Sequence, residues 1–457
     1  MGKKHKSAMR FHVPFTATAP PMTSRAVGIV RLTQRRASGT STDVTIIDSP
    51  DNRLLRSGVT VSHRVCEGLG HWVLEAPAWA PRLPSHRSEP VGATAELPLE
   101  YAMLVRPIAR GAVLGPVAAL DIERTEYTML GPEDAPVAAI VDEQVAVRRG
   151  GVTTARYRET TITPTAEFTP QQREFVLSSM LSVSATPVDS FPSLQQRLGP
   201  PATGMTDFPQ PQPVRRDSTL EELVTAVFAR DLHDLVDTLL DLASARPDDV
   251  AVLNSQLATV ARDVRGFAHA LDPQWCSSVQ ELVSGAPFGS IGDAVPVALR
   301  VADTLVGAVH APRLGDTSHD LAAPLLHRSA QQGVYILADR CRALEESSPD
   351  KQWEGALQAA EQLAVSAAVA SLLPGKPLTK IVRLLDELST HLRSCVAPPD
   401  EPVALEGLTL EEAFREGARA ERRRFTMVNS RARFVAQWPE RIAKLRKYQD
   451  KAKKKRK

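Results

Sequence analysis

Residues 44–64 read VTIIDSPDNRLLRSGVTVSHR, and the reading of this stretch decides the fold of the N-terminal half. Val44–Ile47 and Val59–Val65 are β-branched and alternating, as half-buried strands require. Between them SPDN (49–52) supplies turn chemistry. The stretch is therefore a strand, a tight connection and a second strand.

The same alternation continues outward. Trp72–Leu74, Val137–Val141 and Thr153–Ile162 read as further strands, separated by EGLG (67–70) and RRGG (148–151). Such a run of short strands over 22–185 predicts a meander or closed barrel. PQQREFVLSSMLSV (170–183) reads as a short helix with Pro at its start. Residues 186–216 are rich in Pro and polar side chains and are expected to form a linker. From DSTLEEL onward the period changes from two to that of a helix. Ser218 or Asp217 is the expected N-cap, with Glu221 or Glu222 completing a capping box. Helical spacing recurs over 217–244, 248–271, 290–309, 318–345, 352–373, 377–395 and 408–450, so the second half is expected to be all-α.

Composition sets the class. With 457 residues the chain should hold at least two domains, and 43% hydrophobic and 24% charged residues are ordinary for a globular protein. Cys66, Cys276, Cys341 and Cys395 are far apart, with no CxxC and no ligand spacing, which argues against a zinc site or a disulfide framework and fits a reducing cytoplasm. Nothing approaches a bilayer-spanning stretch, no membrane partner is expected, and residues 1–21 read as a basic disordered tail. Charge is uneven: residues 415–457 carry 17 Lys/Arg against 4 Asp/Glu, a balance of +13 that leaves −11 for the rest. That asymmetry suggests a polyanion partner for the C-terminal end, nucleic acid through the 441–457 basic tail included; a solubilising, flexible basic tail that balances the acidic body is the alternative.

DSPDNRLLRSG (48–58), GHWVLEAP (70–77), AELPLEYAMLVRPIARGAVLGPVAALDIERTEYTML (95–130), VAAIVDEQVAV (137–147) and ARYRETTIT (155–163) together, in this order, resemble the CYTH (triphosphate-tunnel) family. The resemblance implies an antiparallel β-barrel whose interior carboxylates hold divalent metal while Lys/Arg clamp a triphosphate. Key residues depart from that pattern. No ExExK triplet occurs in MTSRAVGIVRLTQRRASGTSTD before Val44, and the closing strand's three glutamates fall on Glu159, Thr161 and Thr163. Glu75 stands where the family has a phosphate-clamping Lys. Arg64, Arg124, Asp142 and Glu143 remain at matching positions. A threonine cannot balance metal charge, and Glu75 would repel a triphosphate. Catalysis is thus expected to have lapsed: Glu159, Asp142 and Glu143 are vestigial candidates, no metal is expected, and Mg²⁺ or Mn²⁺ would enter only if the chain is a triphosphatase after all. Arg64, Arg124 and Glu159 then form a structural ion-pair set, with weak anion binding by the two arginines as the sharper alternative.

KPLTKIVRLLDELSTHL (376–392) and FREGARAERRRFTMVNSRARFVAQWPERI (414–442) resemble the CHAD family, a helical module associated with polyphosphate. Its first basic motif has a faint counterpart in SQLATVARDVRGFAHAL (255–271), which keeps Arg262 and Arg265; its second falls on WEGALQAAEQLAVSA (353–367), which has no Lys or Arg. Arg415, Arg419, Arg422 and Arg423 are spaced i, i+4, i+7 and i+8, one face of a helix. Phe434 and Trp438, at i and i+4, should pack inward. The expected whole is a multidomain α+β chain: a triphosphate-tunnel-like antiparallel β-barrel over 22–185, then a CHAD-like helical bundle over 217–440. By resemblance it binds polyphosphate or another polyanion without hydrolysing it, in the cytoplasm at polyphosphate granules.

Overall fold

Asp48, in the opening motif, is wholly buried and organises its own neighbourhood. One carboxylate oxygen accepts from the Ser49 and Leu54 N–H groups at 2.6 and 2.9 Å, and the other accepts from Leu55 N–H at 2.9 Å. These donors would otherwise be orphans at the start of a single helical turn. Asn52 (φ +57°) and Gly58 (φ +73°) take left-handed conformations on either side of that turn, which explains an Asn and a Gly there.

A computed structural model describes residues 7–35, 39–92, 96–244, 250–374, 378–396 and 409–454. The chain divides into two compact units, residues 1–209 with 236–248, and residues 210–235 with 249–457. The first is built on one antiparallel sheet of β1 (Met9–Val13), β2 (Arg31–Gln34), β3 (Thr40–Asp48), β4 (Thr60–Cys66), β5 (Leu69–Glu75), β6 (His86–Pro90), β7 (Gly115–Leu130), β8 (Pro136–Arg149), β9 (Val152–Pro164) and β10 (Thr186–Val188). The pairing order is β10-β1-β9-β8-β7-β3-β4-β5-β6. The sheet forks at β7, where β3 pairs with Gly115–Arg124 and β2 with Tyr127–Leu130. The helices α1 (Arg53–Arg56), α2 (Leu99–Ala109), α3 (Pro170–Ser182) and α4 (Leu194–Leu198) accompany it.

Strand alternation separates two cores. Met9, Phe11, Val13, Ile140 and Ile162 point to one face and pack with Val176 and Met180 of α3. Val44, Ile46, Leu120, Val145 and Val147 point to the other, against Leu55, Leu198 and Ala202. Each fully buried side chain of this size contributes about 1.5–3 kcal/mol. Capping fixes α3: Thr169 and Gln172 form a reciprocal box, with Pro170 at the first turn.

Two boundary expectations change. Met9–Val13, expected within a disordered tail, form β1 between β9 and β10, because MRFHV alternates apolar and polar residues. The Pro-rich stretch expected as a linker carries β10 and α4 and buries Leu198, Ala202 and Phe208. Proline there removes N–H donors that burial would leave unpaired, so Pro content does not forbid packing.

The second unit is helical, built from residues 220–235 of α5 (Leu220–Ala243) and from α6 (Val250–Phe267), α7 (Pro273–Val283), α8 (Ile291–His310), α9 (Ala322–Arg342), α10 (Asp350–Ala370), α11 (Leu378–Cys395) and α12 (Leu410–Lys454). The α5 cap is Thr219 rather than Ser218 or Asp217, and its box partner is Glu222. Helix α7 was not anticipated; Asp272 caps it at Trp275 N–H, with Pro273 at the first position. Trp353, Leu385, Leu388, Phe434 and Trp438 lie in the core joining α9 to α12, Phe434 and Trp438 stacked at 5.8 Å as their spacing predicts. Helix α12 runs on past the expected 450 to Lys454, through residues also assigned to a basic tail.

Candidate functional site

Antiparallel register fixes which side chains share a face. His12 lies opposite Glu159, Glu159 opposite Glu143, and Glu143 opposite Arg124. These four form one row across β1, β9, β8 and β7, on the face that also carries Val44, Val145 and Val147. The first strand of this row is β1, so the residues beside the closing strand are Arg10 and His12, not a segment just before Val44. Asp142, one position from Glu143, points to the opposite face. There it accepts from Arg158 at 2.8 Å and from the Thr160 hydroxyl at 2.7 Å. Asp142 and Glu143, grouped by the sequence reading, therefore cannot serve one site.

On the Glu159 face the carboxylates are matched by guanidinium groups. Arg124 donates to Glu143 at 2.8 Å and to Glu126 at 2.8 Å, and Arg35 also reaches Glu126 at 2.9 Å. The Glu126 hydrogen bond holds the Arg124 guanidinium above its usual range, and Arg124 in turn lowers Glu126. Arg64 donates to Glu75 at 2.6 Å, and His86 lies 3.5 Å from the same carboxylate. The Glu75 carboxylate is thus matched by the Arg64 guanidinium.

Glu159 is held by Arg197, which the sequence reading missed. Arg197 donates to Glu159 Oε1, and its guanidinium lies 4.0 Å from the ring centre of Tyr157, one cross-section along β9. His12 Nδ1 is 4.0 Å from the same oxygen. Burial, then the Glu159 charge, push the Tyr157 phenol up to about 12. Helix α4 delivers Arg197 through a Ser193–Gln196 capping box, while Leu198 and Ala202 anchor it on Val44, Leu120 and Val147. Further on, buried Asp207 pairs with Arg56 at 2.8 Å and with Arg110. The available signal was SLQQRL (193–198), a capping box followed by helical spacing inside a Pro-rich stretch.

In the helical unit Arg262 donates to Asp263 at 2.9 Å, and Arg230 bridges Asp231 and Asp263 at 3.0 and 3.1 Å. Burial, then the neighbouring Asp263, push Asp231 up to about 7. Arg265 is exposed, and its carbonyl accepts from Gln362 at 3.2 Å. On α12, Arg415 and Arg419 are engaged by Glu411 and Glu416. Arg422, Arg423 and Arg424 are exposed, with no carboxylate at ion-pair distance among the described residues. Arg431 is buried instead, over Trp353 at 5.2 Å, donating to the Cys395 carbonyl at 2.9 Å and pairing with Asp350.

Among the described residues no three His, Cys, Asp or Glu side chains converge as a metal site, and no helix is long and apolar enough to cross a membrane. No protein-family model and no curated protein matches the chain. Similar solved structures include a candidate adenylate cyclase from Bacillus halodurans, 13% identical over 44% of this chain and 100% of that one, with a TM-score of 0.24. Another is a candidate adenylyl cyclase from Hippeastrum, described as revealing a dominant triphosphatase activity, 11% identical over 41% of this chain and 91% of that one, with a TM-score of 0.22. A third, a candidate adenylate cyclase from Vibrio parahaemolyticus, is 12% identical over 42% and 96% of the two chains, with a TM-score of 0.21.

Proposed function

We propose that this chain is a CYTH–CHAD relative that binds polyphosphate or a similar polyanion and no longer hydrolyses triphosphate. The observation that carries the reading is the pairing of Glu159 with Arg197 and of Glu143 with Arg124. A carboxylate that neutralises a guanidinium has little charge left for a divalent cation. Polyanion contact falls to the exposed cations of α12, foremost Arg422, Arg423 and Arg424, which need no rearrangement to meet phosphates.

Medium-chain polyphosphate binding to the full-length protein across a salt series tests this reading. Affinity should fall steeply with salt, and Arg422→Ala/Arg423→Ala/Arg424→Ala together should reduce the logarithmic salt slope by about 2–3. Absence of binding at moderate salt would refute it. Phosphate release from tripolyphosphate with Mg²⁺ or Mn²⁺ would instead support a metal-dependent triphosphatase.

A further inference from the structure

Helices α9 and α10 enclose a second candidate site, unrelated to the α12 cations. A cavity of about 500 Å³ opens between them, bordered also by Leu220, Thr317 and the residues just after α6. On α9 its walls come from Leu325, Arg328, Ser329, Gln332 and Ile336, which recur at helical spacing and so form one face. On α10 they come from Ala359, Gln362, Leu363 and Ser366, again one face. The floor is a close helix crossing: Gly333 approaches Leu363 so nearly that a Cβ would meet its Cδ1 at 2.9 Å.

The chemistry of the walls restricts the occupant. Leu220, Leu325, Ile336 and Leu363 make an apolar body, and Ile336 is still 46% exposed. A ligand would remove that surface from water. Arg328 is the permanent cation of the lining, which contains no Asp or Glu; His269, the other titratable group there, is held toward its neutral form by burial. Its side chain is exposed, with no carboxylate at ion-pair distance among the described residues. Ser329, Gln332 and Gln362 add neutral hydrogen-bonding groups beside it. A volume of this size suits a small molecule, mostly apolar walls with a few convergent polar groups being the usual make-up of such sites.

We infer that the cleft between α9 and α10 binds an amphipathic monoanion, its apolar body against Leu325, Ile336 and Leu363 and its carboxylate or comparable head on Arg328. One guanidinium matches one anionic group, so a polyphosphate is not the ligand of this cleft. A cationic amphiphile would find no counter-charge.

Calorimetric titration of the full-length protein with decanoate, below the concentration at which it forms micelles, tests the inference. Decyltrimethylammonium serves as the cationic control. Saturable binding of decanoate, absent for the cation, is expected. Arg328→Gln should weaken decanoate about tenfold or more, the loss of a charge-assisted contact. Ile336→Asn should weaken it severalfold; both residues are exposed, so both variants should keep the wild-type circular dichroism. No binding of decanoate would overturn the inference. So would equal binding of the cation, insensitivity to Arg328→Gln, or displacement of decanoate by tripolyphosphate.

Discussion

Arg197 donates to Glu159 Oε1 from a helix that lies 38 residues further along the chain, and the two side chains are 18% and 12% exposed. At this burial neither charge is well solvated without the other. Arg197→Ala should therefore destabilise the sheet unit by about 2–3 kcal/mol in denaturant unfolding. Adding Glu159→Ala should recover much of that loss, because the stranded carboxylate is then gone. Additive losses would show that the two residues act separately.

Asp48 should behave as a structural acceptor. Asp48→Asn keeps the size but turns one of the two accepting oxygens into a donor, which then faces either the Leu55 N–H or the Ser49 and Leu54 N–H groups. Destabilisation of about 1–3 kcal/mol is expected. A neutral effect would mean that the three backbone donors are satisfied otherwise.

Reversing Glu75 tests the electrostatics of the sheet directly. Arg64 and Glu75 are each about one-third exposed, so Glu75→Lys should change stability by no more than about 1 kcal/mol. It frees the Arg64 guanidinium and replaces a negative charge by a positive one. Tripolyphosphate binding at low salt should tighten about tenfold, and the gain should shrink at high salt. Unchanged affinity would remove Arg64 from the list of anion-binding residues.

The Asp231–Asp263 pair makes the helical unit sensitive to pH. Asp231 in the folded protein titrates near 7, well above an unfolded aspartate at 3.8, because burial and Asp263 disfavour its charge. The folded state therefore binds a proton that the unfolded state has released, and the associated stability is lost as pH rises through about 7. The thermal midpoint of the helical unit should rise as pH falls from 8 toward 5, and Asp231→Asn should flatten that dependence. An unaltered profile in the variant would place the titration elsewhere.

The basic residues of α12 separate into two kinds. Arg431→Ala removes the partner of Asp350 and Trp353 and should cost about 2–4 kcal/mol. Arg422→Ala should change stability by no more than about 0.5 kcal/mol while weakening polyphosphate binding. The reverse ordering would contradict the packing of α12.

How far the sequence revealed these features depends on the range of the interaction. Strands of alternating character, the turn at 49–52 and the long helices were legible because period and turn chemistry are local. So was the inward packing of Phe434 and Trp438, set by an i, i+4 spacing. Strand β1 was hidden because its alternation spans only five residues of a basic segment, and its pairing with β9 is a contact across about 150 positions of chain. Arg197 was hidden for a related reason: composition marked its surroundings as a linker, whereas Leu198 and Ala202 find their partners on distant strands. The register also split Asp142 from Glu143, which adjacency in sequence had joined.

Phosphate release from tripolyphosphate, measured with Mg²⁺ and with Mn²⁺ on the full-length protein, tests the central claim most directly. With Glu159 held by Arg197 and Glu143 by Arg124, release should not exceed the protein-free rate. Turnover that disappears in Glu159→Gln would contradict the account and assign the His12–Glu159–Glu143 row to catalysis.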